Sequence, residues 1–179
     1  MLLITARRER FTGPAFPADQ RTTPDKQGQA TRAFTSARLA TQGKAAWRYG
    51  RIEVRARLPQ GQGMWPAIWM LPEDNRYGAW AASGEIDIME AVNLGEPCTT
   101  GEPGCPAGRE QGILGTLHFG GVWPANQHRG ATTAMQGALD GFHTYAVEWS
   151  PHAITWWSGA PPFKTTAPAA WFPRVWPPP

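Results

Sequence analysis

Residues 49–59 read YGRIEVRARLP, and within them Ile52, Val54, Ala56 and Leu58 alternate with Arg51, Glu53, Arg55 and Arg57. Alternation of this kind puts side chains on two faces of an extended strand, one apolar and one charged, and no helical period fits it. The apolar face then needs a second layer to cover it. Other segments repeat the pattern. In GILGTLHF, Leu114, Thr116 and His118 share one face, and in FHTYAVEW, Tyr145, Val147 and Trp149 alternate with Thr144, Ala146 and Glu148. SPHA then reads as a turn and AITWW as the return strand of a hairpin. Trp65, Ile68, Trp69, Met70 and Leu71 form an apolar run, expected to be a buried strand that PEDN ends. No helical periodicity is sustained and no repeat recurs at fixed spacing. With 20 Gly, 18 Pro and 10 Trp, the chain has the turns and flat aromatic surfaces of an all-β sandwich or barrel.

Length and charge narrow the class. A chain of 179 residues, 41% hydrophobic and 17% charged, is expected to form one soluble domain with one core. The net charge of +3 comes from basic residues scattered between Arg7 and Arg174, never a dense block, so no nucleic-acid partner is expected. No apolar run is long enough to span a bilayer, and MLLITARRER reaches arginine too early for a signal-peptide core, so neither a membrane partner nor a signal peptide is read in this chain. Cys98 and Cys105 lie in the Gly/Pro-rich loop EPCTTGEPGCPAG without His or Cys at metal-ligand spacing. A loop-closing disulfide, which implies an oxidising compartment, is one reading and two free thiols the other. Residues 161–179, PPFKTTAPAAWFPRVWPPP, hold too many prolines for a central strand and are expected to be a disordered or loosely packed tail.

The stretch GEIDIME, residues 84–90, carries the chemistry. On a regular strand Glu85 and Asp87 share a face and Glu90 points the other way. A β-bulge at Ile88 or Met89 returns Glu90 to the face of the other two. Glu85 and Glu90 are then about four strand steps apart, roughly 13 Å between Cα atoms. Bending at the bulge and leaning side chains bring the carboxyl groups towards the roughly 5 to 5.5 Å of a retaining glycosidase. Asp87 between them opposes full ionisation of the set, which favours a shared proton and keeps one glutamate available as an acid. Acids on the wetted face of an ordinary amphipathic strand have the same letters, and the residues alone leave both readings open.

GEIDIME, preceded by GRIEVRARLPQGQGMWPAIWMLP and followed by GTLHFGGVWPAN and FHTYAVEW, resembles glycoside hydrolase family 16, in particular its laminarinase-like endo-β-1,3-glucanases, over residues 2–159. The resemblance implies a β-jelly-roll sandwich of two antiparallel sheets with a concave glucan-binding cleft. It implies retaining hydrolysis of internal β-1,3 linkages in laminarin-like glucans, with Glu85 as nucleophile, Asp87 as assisting carboxylate and Glu90 as acid/base. Trp65 and Trp80 match tryptophans that line the cleft, His118 matches a histidine near the catalytic centre, and Trp123 and Asn126 belong to a loop flanking the cleft. A core or interface role is the plain alternative for each tryptophan, Trp69, Trp149 and Trp156 above all, and a satisfied sheet histidine for His118. Glu53 and Arg55 fit a structural ion pair better than catalysis.

The same comparison implies strands before and after this chain, so residues 1–160 are expected to be a catalytic domain incomplete at both ends and 161–179 a tail, with Ser158 where an Asp-Gly turn is usual. No cofactor and no metal are expected, because the terminal segments of the family's structural calcium site are not found. The expected partner is a β-1,3-glucan polysaccharide, the expected state a monomer, and the expected location extracellular or periplasmic. The competing functions are a non-catalytic β-glucan-binding protein or inactive fragment, and a transglycosylase or mixed-linkage glucanase.

Overall fold

The computed structural model describes residues 1–16, 21–159 and 161–166. They fall into two compact units, residues 1–45 and 46–179. The first holds an antiparallel pair, β1 (Arg7–Pro14) and β2 (Gln29–Thr35), with a short 3-10 turn at Pro24–Lys26 between them. Only Gly13 of the pair is buried, so this ribbon has no core of its own.

The second unit is a jelly-roll sandwich of two four-stranded antiparallel sheets. One sheet has the order β10 (Pro162–Thr166), β9 (Ile154–Ser158), β8 (His143–Trp149), β3 (Gly50–Ala56). The other runs β4 (Ala67–Met70), β5 (Glu85–Glu90), β6 (Gly112–Phe119), β7 (Gln127–Ala134). Their facing sides supply one core: Ile86, Ile88, Met89, Ile113 and Leu117 meet Tyr145, Val147, Ile154 and Trp156. Side chains this large stabilise by roughly 1.5–3 kcal/mol each when fully buried.

The alternation in β3 survives intact, with Ile52 and Ala56 packed against the core and Arg51, Glu53 and Arg55 exposed. On that outer face Arg51 pairs with Glu53 at 2.7 Å and Glu148 at 2.9 Å, which gives Glu53 the structural role expected of it. Arg55 instead lies over the Phe142 ring, 5.1 Å from its centroid. The hairpin of β8 and β9 forms in register from Trp149↔Ile154 to Tyr145↔Ser158. Ser150 closes its turn, donating its N–H to the Ala153 carbonyl at 2.9 Å and accepting the Ala153 N–H on its hydroxyl at 3.0 Å.

Two expectations need correction. The apolar run after Met64 is not one buried strand: β4 spans four residues, Trp65 is 67% exposed, and Ile68 and Met70 pack inward while Trp69 faces the opposite side. The run was too uniform in polarity to reveal this alternation. The tail expected over 161–179 also begins with a strand, because Pro162–Thr166 pairs with β9 and Phe163 packs on the core. Proline is tolerated there because β10 is an edge strand and the register slips between Pro162 and Lys164. Residues 167–179 lie outside those described.

The cysteine alternatives resolve to a disulfide, Cys98–Cys105, with Cα atoms 6.0 Å apart. Its loop is tied at the base by Glu110 N–H to the Glu96 carbonyl at 2.8 Å and Cys98 N–H to the Gly108 carbonyl at 3.1 Å.

Candidate active site

β5 is an interior strand, and its pairing on both sides locates the predicted bulge. Against β4, Trp69 faces Asp87 and Ile68 faces Met89, so Ile88 is the supernumerary residue. Against β6, Asp87 pairs with Thr116 and Glu90 with Leu114, three steps on one strand for two on the other. Ile88 and Met89 both turn into the core, each 1% exposed. Glu85, Asp87 and Glu90 consequently emerge on one face, together lining a hollow of about 210 Å³ with Trp65, Ala67 and Trp69.

Each glutamate is held by an indole. Trp65 Nε1–H donates to Glu90 Oε1 at 3.0 Å, and Trp80 Nε1–H donates to Glu85 Oε2. The family resemblance implies that these tryptophans line a cleft; their hydrogen bonds to the acids add a positioning role. Their rings remain accessible, at 67% and 39% exposure.

Asp87 is 2% exposed, and its carboxyl is pushed up to about 8, first by burial, then by the charges of Glu85 and Glu90, then by its hydrogen bond with Glu85. Burial and the two flanking glutamates thus favour the protonated form of Asp87 over pH values at which an exposed carboxyl is ionised. Crowding of the three acids was expected to favour a shared proton, and the burial of Asp87 adds a second cause that acts on the aspartate above all.

His118, opposite Glu85 on β6, has Nε2 3.2 Å from Asp87 Oδ2, off the line needed for a hydrogen bond. Its ring lies 5.4 Å from that of Trp80. Trp123 is brought to the same loop cluster, its N–H donating to the Trp80 carbonyl at 3.1 Å, and its ring is 70% exposed. Asn126 precedes β7 and does not line the hollow.

Two tryptophans held in reserve separate cleanly. Trp69 lines the hollow, as its position two residues from Ala67 on a strand allows, whereas Trp156 is core, 1% exposed, with Nε1–H donating to the Asp87 carbonyl at 2.8 Å. A second hollow, about 540 Å³, adjoins the Glu90 end: Leu114, the cross-strand partner of Glu90, lines it with Thr132, Asn93, Gln62 and, from the disulfide loop, Glu96 and Pro103.

Residues 18–174 match the pattern of the family described as Glycosyl hydrolases family 16. The chain belongs to glycoside hydrolase family 16. Among relatives of this family 16 chain, the β-glucanase of Rhodothermus marinus is 40% identical over 158 residues, covering 87% of this chain and 44% of the relative. The glucan endo-1,3-β-glucosidase A1 of Niallia circulans is 38% identical over 162 residues, covering 88% of this chain and 20% of the relative. Among solved structures, the laminarinase from Rhodothermus marinus superposes with a TM-score of 0.63 at 35% identity, over 92% of this chain and 54% of the other. The family 16 chain thus spans less than half the length of these two curated relatives and about half of that solved structure.

Proposed function

We propose that this family 16 chain carries the catalytic face of a retaining endo-β-1,3-glucanase acting on laminarin-like glucans. The observation that carries the reading is the bulge at Ile88, which sets Glu85 and Glu90 on one face with the buried Asp87 between them. In the first step a Glu85 oxygen attacks the anomeric carbon as the glycosidic C–O bond breaks, and Glu90 gives its proton to the departing oxygen. In the second, Glu90 takes a proton from water, the water oxygen attacks the same carbon, and Glu85 leaves as a carboxylate. Asp87 and the Trp80 indole hold the attacking oxygens of Glu85 in place, and Trp65 does the same for Glu90. Exposed indole faces of Trp65, Trp80 and Trp123 offer flat surfaces to the C–H faces of sugar rings.

Names of the relatives, glucan endo-1,3-β-glucosidase and laminarinase, support the β-1,3 linkage. The disulfide supports an oxidising location, extracellular or periplasmic.

Reducing-end release from laminarin tests the activity, and proton NMR of the first product anomer tests retention. Glu85→Gln is expected to lower turnover by on the order of a thousandfold or more with the fold unchanged by circular dichroism. Full activity in that variant, or binding of glucan by the unaltered chain without any product, overturns the assignment.

A further inference from the structure

The bulge has a feature beneath it that the glycosidase reading does not use. Where β5 carries its extra residue, β6 carries Gly115, between Leu114 and Thr116, the partners of Glu90 and Asp87. A Cβ on Gly115 would stand 2.4 Å from Trp156 Cδ1 and 2.8 Å from its Cγ, so the missing side chain is the notch in which the indole sits. Trp156 arrives from β9 of the opposite sheet, pairs with Val147 across β8, and is 1% exposed. From that seat its Nε1–H reaches the Asp87 carbonyl at 2.8 Å, at the residue where the β5–β6 register slips. A bulge interrupts the regular ladder, and a buried backbone carbonyl there needs a donor from elsewhere. In this fold the donor comes across the core.

We propose that Trp156 is a positioning residue of the catalytic strand: seated in the Gly115 notch, its indole N–H pins the Asp87 carbonyl and so fixes the bulge that turns Glu85, Asp87 and Glu90 to one face. The functional part of this claim rests on Glu85 and Glu90 being the reacting pair; the structural part does not. Trp156 touches no reacting atom and acts through the backbone of Asp87.

The test uses the whole chain with Trp156→Phe, which keeps an aromatic ring and removes the donor, beside Ile154→Ala, a core truncation on the same strand that leaves the indole in place. On laminarin, Trp156→Phe is expected to lower kcat tenfold or more with KM within twofold, whereas Ile154→Ala lowers the melting temperature and keeps kcat within twofold. The Ile88 amide belongs to the same peptide group as the Asp87 carbonyl, so its 15N resonance is expected to move upfield in Trp156→Phe and stay in place in Ile154→Ala. In the unaltered protein the Trp156 indole N–H is expected to exchange with solvent over hours, a measurement that stands even if the variant does not fold. Unchanged kcat in Trp156→Phe, equal loss in Ile154→Ala, an unmoved Ile88 resonance, or exchange of that indole within seconds each overturns the proposal. An unaltered chain inactive on laminarin overturns the glucanase reading instead, and the resonance and exchange results still decide the pin.

Discussion

A carboxyl held at about 8 makes Asp87 a source of pH-dependent stability. Its unfolded value is about 3.9, so between there and about 8 the folded chain binds a proton that the unfolded chain does not. The stabilising contribution of this group is thus complete below about 3.9 and is lost as pH rises to about 8, at about 1.4 kcal/mol per pH unit for a full one-proton difference. Asp87→Asn removes the titration while leaving an amide to donate to Glu85. Urea unfolding at pH 4.5, 6 and 8 is expected to show a flatter stability profile in the variant, and greater stability at pH 8 by about 2–4 kcal/mol, less than full linkage because water and side chains relax around the charge. Turnover should fall at the same time, since the amide cannot share its proton as the acid does. A profile parallel to that of the unaltered chain would mean that Asp87 is ionised in the fold. The three acids were legible in the sequence as a set through the resemblance to family 16, since the residues alone left an ordinary amphipathic strand open as well. Which of them holds the proton was not legible, since that depends on how deeply each is buried and Asp87 is 2% exposed.

Strands whose two faces differ chemically were readable, and those whose faces match were not. In β3 charge and apolarity alternate, so its facing follows from the letters; in β4 every residue is apolar, and nothing in the letters sets Trp69 on the opposite side from Ile68 and Met70. Proline discouraged a strand at Pro162–Thr166, yet an edge position accepts it. Gly115 shows how an element depends on another far away in sequence: its notch has meaning only once Trp156 is seated in it. Gly115→Ala is expected to displace the indole and cost about 1–3 kcal/mol of stability, measured by denaturant titration, because a buried methyl at 2.4 Å from Trp156 Cδ1 forces the ring or the strand to move. Gly63→Ala sits at φ 78 with nothing near its Cβ, so only backbone strain, about 1 kcal/mol, is expected there. Equal losses at the two sites would argue against the notch. The bulge itself supplies rotation more than reach: two residues share one strand step, so Glu85 and Glu90 stay about four steps apart while the strand bends between them.

At the scale of the molecule, the two units carry different amounts of core. The sandwich buries Tyr145, Val147, Ile113 and Met89 almost completely, whereas the β1–β2 ribbon leaves Phe11 at 55% and Phe34 at 65% exposure. A two-stranded ribbon without a packed face is marginal in water. Amide exchange is accordingly expected within seconds to minutes for Arg7–Pro14 and Gln29–Thr35, and over hours or longer for β5, β6 and β8, read by mass spectrometry on the intact chain. Uniform protection across both would show that the ribbon is covered. The all-β class could be anticipated from patterning and turn residues, which left sandwich or barrel and disulfide or free thiols open; the resemblance implied the sandwich, and the division into units follows from which apolar side chains find partners. The sheet order has one more consequence. β5 has a neighbour on each side, and among the described residues the perimeter of its sheet is β4 and β7. The strand that carries Glu85, Asp87 and Glu90 is therefore clasped along both sides, and a longer or shorter β7 leaves both of those clasps in place.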